Sequence, residues 1–150
     1  MNLDKAKNIF LADDDADDRM FFEDALKEVN IQTHLTLSND GSELMSNLET
    51  ITEPPPPDVI FLDLNMPRKN GFQCLEEIRN TTKFKDIPVV IFSTTINEDA
   101  VNKTYQHGAN HYICKPRSFE LLVKVIETVL ALEMWQKPQP PKEKFILAFG

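Results

Sequence analysis

The sequence predicts an α/β domain, a doubly wound five-stranded parallel sheet with helices on both faces. Short apolar runs of strand length alternate with stretches of helical periodicity five times over, the signature of repeated βα units. The runs at Ile9 to Ala12, Val59 to Leu62 and Val89 to Ser93 are almost wholly apolar, as central strands buried on both sides must be. At 150 residues the chain can enclose one full core but not two.

The first strand, Ile9 to Ala12, leads into a helix expected over Asp17 to Val29, where Phe21, Phe22, Ala25, Leu26 and Val29 share one stripe. Thr33 to Leu37 alternates polar and apolar residues and suits an edge strand. A short helix after Asp40-Gly41-Ser42 carries Leu44, Met45 and Leu48. Glu53-Pro54-Pro55-Pro56-Pro57 is a stiff, extended connector, because proline cannot continue a helix. Val59 to Leu62 is the third strand, and Phe72, Leu75 and Ile78 mark a helix over Phe72 to Arg79. Val89 to Ser93 is the fourth strand.

The fourth helix, Glu98 to His107, offers only Ala100, Val101 and Tyr105 for burial and should be the least tightly held. Gly108 stops it. His111 to Cys114 is the last strand, and the last helix starts at the N-cap Ser118 and buries Leu122, Val125, Ile126, Val129 and Leu130. Lys137 to Lys142 is proline-rich and linker-like, after which Phe145-Ile146-Leu147-Ala148-Phe149 is strongly apolar. The domain is therefore expected to span residues 1–134, with 135–150 a C-terminal tail that seeks a surface, and no output domain.

A formal net charge of −8 argues against direct nucleic-acid binding, which needs clustered Lys and Arg. No apolar run is long enough to span a bilayer and the first residues lack a signal core, so a cytoplasmic protein is expected. Cys74 and Cys114 show no metal or disulfide spacing and read as buried apolar side chains; His34, His107 and His111 read as structural.

The chemistry lies where strands end. Asp13-Asp14-Asp15 follows the first strand, Asp63 the third, and Lys115-Pro116 the fifth, and parallel strands bring those ends to one rim. Two carboxylates about 5 Å apart at an effective dielectric near 20 repel by roughly 3 kcal/mol, which calls for a cation. A hard ion with oxygen ligands, Mg²⁺ first, resolves the conflict and keeps a position for a phosphate oxygen.

On these residues the chain resembles the receiver domain of two-component response regulators over about residues 7 to 130. The resemblance runs through Phe10-Leu11-Ala12-Asp13-Asp14, Phe61-Leu62-Asp63-Leu64-Asn65-Met66-Pro67, Gly71, Pro88 to Thr94, and Tyr112-Ile113-Cys114-Lys115-Pro116. It implies a flavodoxin-like sheet of order 2-1-3-4-5 and a stand-alone switch similar to chemotaxis regulators. Asp63 would be the phospho-acceptor, taking its phosphoryl group from a histidine kinase or phosphotransfer protein. Asp14 would bind Mg²⁺ directly, Asp13 through water, and the Asn65 backbone carbonyl would complete the set. Lys115 would pair with phosphoryl oxygens, Ser93 would hydrogen-bond one of them, and Tyr112 would swing into the space Ser93 vacates, changing partner binding. Stand-alone receivers often pair through their fourth and fifth elements, so the resemblance also implies a homodimer; the apolar tail is a further candidate for self-association. The tail, the connector and the missing output domain give a looser resemblance to regulators served by phytochrome-like or hybrid kinases.

Serine at 93 keeps the hydroxyl of the more usual threonine but loses its methyl, and Thr94 is bulkier than the usual alanine. A Mg²⁺-dependent phosphatase with Asp63 as nucleophile needs an acid two residues later, where this chain has Asn65. A degenerate scaffold is disfavoured because every phosphorylation residue is present. A calcium loop from Asp13 fails, because Asp18 stands where glycine is needed. Asp15, Asp17 and Asp18 are expected to be solvated surface.

Overall fold

The computed structural model describes residues 6–50, 56–135 and 137–149, so most of the proline connector and the first five residues lie outside the described part. Five strands, β1 (Lys7–Ala12), β2 (Thr33–Ser38), β3 (Val59–Leu62), β4 (Val89–Ser93) and β5 (His111–Cys114), alternate with α1 (Ala16–Lys27), α2 (Gly41–Thr50), α3 (Gly71–Asn80), α4 (Glu98–Gln106) and α5 (Phe119–Ala131). All pairings between these strands are parallel, in the order β2-β1-β3-β4-β5.

Alternation along the strands divides the core in two. Ile9, Leu11, Phe61 and Phe92 face α1 and α5, while Phe10, Ala12, Ile60 and Leu62 face α2, α3 and α4. On the first face the rings of Phe22, Phe61 and Phe92 meet edge to face, with centroids 5.0 to 5.9 Å apart. α4 buries only Ala100, Val101 and Thr104, in keeping with its sparse apolar stripe. Gly108, at φ +92°, follows its cap His107 as the sequence suggests.

Several expectations are corrected at the ends of elements. β1 begins at Lys7, because Lys7 and Asn8 pair with Thr33 and His34. α1 starts earlier than expected, because Asp15 is its N-cap: its carboxylate accepts from the Asp17 and Asp18 N–H groups at 2.8 and 3.1 Å. The helix stops at Lys27, and a tighter turn carries Val29 back into the core. Cys74 is buried as expected, but Cys114, the last residue of β5, is exposed.

The tail finds its surface on this same sheet. After a 3₁₀ turn at Lys142–Lys144, Ile146 forms a parallel bridge with Tyr112 on the free edge of β5. The Tyr112 N–H donates to the Phe145 carbonyl at 3.1 Å, and the Leu147 N–H to the Tyr112 carbonyl at 3.0 Å. Phe145 is fully buried in the α2–α3–α4 core, whereas Leu147 and Phe149 lean on the opposite one.

Candidate functional site

The strand ends are aligned by the ladder itself. The Asp13 N–H donates to the Ser38 carbonyl at 3.1 Å, the Asp63 N–H to Ala12 at 3.0 Å, and the Lys115 N–H to Ser93 at 3.0 Å. Those bonds bring residues from across the sequence to one rim. One carboxylate oxygen from each of Asp13, Asp14 and Asp63 lies within 4.8 Å of the others. The Lys115 ammonium is 2.7 Å from Asp13 Oδ2 and 3.0 Å from Asp63 Oδ2, with its side chain only 10% exposed. Asp13, Asp14, Asp63 and Lys115 thus come together as the topology requires.

Two glycines make this approach possible. A Cβ on Gly71 would overlap the Asp63 carbonyl oxygen, and one on Gly41 would overlap the Lys69 carbonyl oxygen. The loop after β3 is held further by Arg68, at φ +64°, whose Nε donates to Asp40 Oδ2 at 2.9 Å.

Within the pocket, Asp63 Oδ1 accepts from the Leu64 N–H at 2.7 Å, and Oδ2 takes the lysine. Asp13 Oδ1 accepts from the Asp15 N–H at 2.9 Å. Asp13 Oδ2 is buried and faces the Lys115 ammonium at 2.7 Å. Burial, opposed only partly by Lys115, pushes the Asp13 carboxyl up to about 6. Lys115 is held above its ordinary range: burial alone would lower it, but Asp13 and Asp18 hydrogen-bond its charge and Asp63 adds to the field. The two shifts pull on one ion pair in opposite senses. The stronger effect on Asp13 is desolvation, because the Lys115 ammonium is shared with Asp18 and Asp63. Three carboxylates that each offer an oxygen within 4.8 Å of the others suit a hard divalent cation.

Asp18 corrects the expectation of solvated surface. From the first turn of α1 it reaches Lys115 Nζ at 2.9 Å. Helical phase placed it outside the apolar stripe, but nothing in the sequence linked it to a lysine 97 positions away.

Ser93 is fully buried at the end of β4, and its hydroxyl accepts from the Thr95 N–H at 3.1 Å. Thr95 Oγ1 accepts from Asn65 Nδ2 at 2.9 Å, so the Asn65 side chain is engaged as an amide and offers no acid. Tyr112 is fully buried too, and its hydroxyl donates to the Thr95 carbonyl. Burial pushes the Tyr112 hydroxyl up to about 12. Thr95, which the sequence reading passed over, thereby touches Asn65, Ser93 and Tyr112; Thr94 is exposed.

Residues 9–127 match the response regulator receiver domain. The chain belongs to this family. It is 35% identical over 126 residues to the response regulator Rcp1 of Synechocystis sp., covering 82% of this chain and 86% of that one. The crystal structure of the Mn(2+)-bound form of Rcp1 superposes with a TM-score of 0.74 at 32% identity, over 90% of this chain and 99% of that one. That of the phosphorylated cyanobacterial phytochrome response regulator RcpA gives a TM-score of 0.78 at 31% identity, over 91% of this chain and all of that one. The receiver fold, with its 2-1-3-4-5 sheet, is thus the fold of this chain. Among the described residues no helix is long and apolar enough to cross a membrane.

Proposed function

We propose that this receiver accepts a phosphoryl group on Asp63 from a phosphohistidine and, in the phosphorylated state, changes its affinity for a protein partner. The observation that carries this is the meeting of three carboxylates within 4.8 Å, two of them 2.7 and 3.0 Å from one lysine. An Asp63 carboxylate oxygen attacks phosphorus; the P–O bond forms as the P–N bond to the donor imidazole breaks, and that imidazole leaves with its electron pair and takes up a proton.

Asp13, Asp14, Asp63 and the Asn65 backbone carbonyl would hold Mg²⁺, and the gathering of three carboxylates within 4.8 Å favours it. The ion supplies charge to offset the phosphoryl oxygens. Lys115 leaves the Asp63 oxygen for the incoming phosphoryl group and stays tethered by Asp18. Ser93 gives its O–H to a phosphoryl oxygen while its oxygen is the acceptor of the Thr95 N–H, and Thr95 passes the change to Tyr112. These are positioning and electrostatic roles, where most of the catalysis of phosphoryl transfer resides.

The donor is a sensor histidine kinase or a phosphotransfer protein, and the likeness to the phytochrome response regulator RcpA favours a phytochrome-linked donor. A net charge of −8 favours a protein rather than DNA as the downstream target. Asp63→Asn should abolish labelling by radioactive acetyl phosphate, with circular dichroism unchanged, and a chelator should do the same to the unaltered chain. Undiminished labelling of Asp63→Asn would refute the acceptor.

A further inference from the structure

The free edge of β5 and the pocket between Tyr105 and Tyr112 form a binding surface for an extended segment carrying an aromatic side chain. Its occupant is the chain's own tail. Phe145 is fully buried there, with ring centroids 5.0 Å from Tyr105 and 6.2 Å from Tyr112. Besides the two ladder bonds to Tyr112, the Phe145 carbonyl lies 3.0 Å from His111 Nδ1. The approach to the site is fixed as well: the Tyr105 hydroxyl donates to the Pro140 carbonyl at 2.8 Å, and Gln139 Nε2 to the Tyr105 and Ala109 carbonyls at 2.8 and 2.5 Å. This is addition of a strand to a sheet edge, with one side chain read by a pocket.

The position of Tyr112 gives the surface its meaning. Its hydroxyl points inward, to the carbonyl of Thr95, and Thr95 also bonds Ser93 and Asn65 beside the acceptor. Its other flank is closed by Phe145. For the Tyr112 ring to swing outward, Phe145 must leave the pocket, because both rings are fully buried and edge to face.

We propose that residues 142–149 are a built-in ligand of the β5 edge that wedges Tyr112 inward, so that tail docking and the phosphorylated state of Asp63 strengthen each other. The proposal rests on the reading of Asp63 as acceptor. By linkage, whatever strengthens one event strengthens the other by the same factor, and a partner that captures the tail weakens the phosphorylated state.

The test uses the full chain with Mg²⁺ and beryllofluoride, which mimics the acyl phosphate at equilibrium. Amide exchange is read at Leu147 and Tyr112, whose N–H groups form the ladder. Beryllofluoride should slow exchange at Leu147 by about five-fold or more, the low end of ordinary coupling. Unchanged or faster exchange overturns the wedge, and this arm needs no variant. Phe145→Ala should weaken beryllofluoride binding by a similar factor; equal affinity overturns the wedge while leaving the acceptor in place. If the unaltered chain binds no beryllofluoride, the acceptor reading itself falls. Across a dilution series the protection of Leu147 should stay constant; concentration dependence would put the tail on a second copy and overturn the intramolecular claim.

Discussion

The carboxylate pocket and the β5 flank meet at Thr95, yet they are built on opposite physics. In the pocket, the carboxylates of Asp13, Asp14 and Asp63 crowd together, and Asp13 and Asp63 share the Lys115 ammonium with Asp18. On the flank, Phe145, Tyr105 and Tyr112 pack ring against ring while the backbone groups of Tyr112 are paired with the tail. The pocket is held in an unfavourable state by the rest of the fold and gains from a cation. The flank is stabilised by its own ring packing and backbone pairing. Two neighbouring regions can therefore share one switch, one storing electrostatic cost and the other supplying apolar burial to hold the readout.

The largest effect that would break this contrast is at Lys115, whose side chain is 10% exposed and touches Asp13, Asp18 and Asp63. Lys115→Ala leaves the buried acids without their cation and should destabilise the metal-free chain by about 3 kcal/mol, the ordinary loss when one member of a buried pair is removed. Urea unfolding in chelator measures it, and added Mg²⁺ should recover part of the loss. If the variant unfolds at the same urea concentration as the parent, the acids are adequately solvated and the pocket stores no cost.

Next in size is the pH dependence of Asp13. Its carboxyl is pushed from 3.8 up to about 6, chiefly by burial. The folded state then binds this proton more tightly than the unfolded chain does. Its contribution to stability is present below about pH 4 and is lost as pH rises through about 6, by roughly 2 to 3 kcal/mol in all. Asp13→Asn removes that dependence. In chelator, the parent should therefore fall behind the Asn variant between pH 4 and pH 7. A gap that stays constant across that range would mean that the lysine, not burial, governs Asp13.

How far each region was legible in the sequence follows the same division. Val59–Leu62 and Val89–Ser93 stand where the apolar runs placed them, because a central strand between two helical layers is apolar almost throughout, and His111–Cys114 stands where its own run placed it. The convergence of Asp13, Asp14, Asp63 and Lys115 was legible because parallel topology leaves no other place for strand ends. Asp15 and Asp18 were not: an acid run gives no sign of which member caps a helix and which turns toward a distant lysine. The tail was legible as apolar and as seeking a surface. Its destination was not, because a five-residue apolar run carries no record of the edge that will receive it. Thr95 was missed for a related reason, since its backbone carbonyl and N–H make two of its contacts, and any residue has those.

The smallest predicted effect sharpens the contrast from the flank. Tyr105→Phe keeps the ring against Phe145 but removes the hydroxyl that donates to the Pro140 carbonyl. One such hydrogen bond contributes about 1 kcal/mol. Because Gln139 still ties the same segment to Ala109, the tail should loosen rather than detach. If the flank is a local unit whose opening lies below global unfolding, amide exchange at Leu147 should speed up while that of Ile60 and Ile91 in the central strands stays the same. Faster exchange at all three positions would mean that the tail is part of the cooperative core, and that Tyr112 cannot be freed without unfolding the receiver.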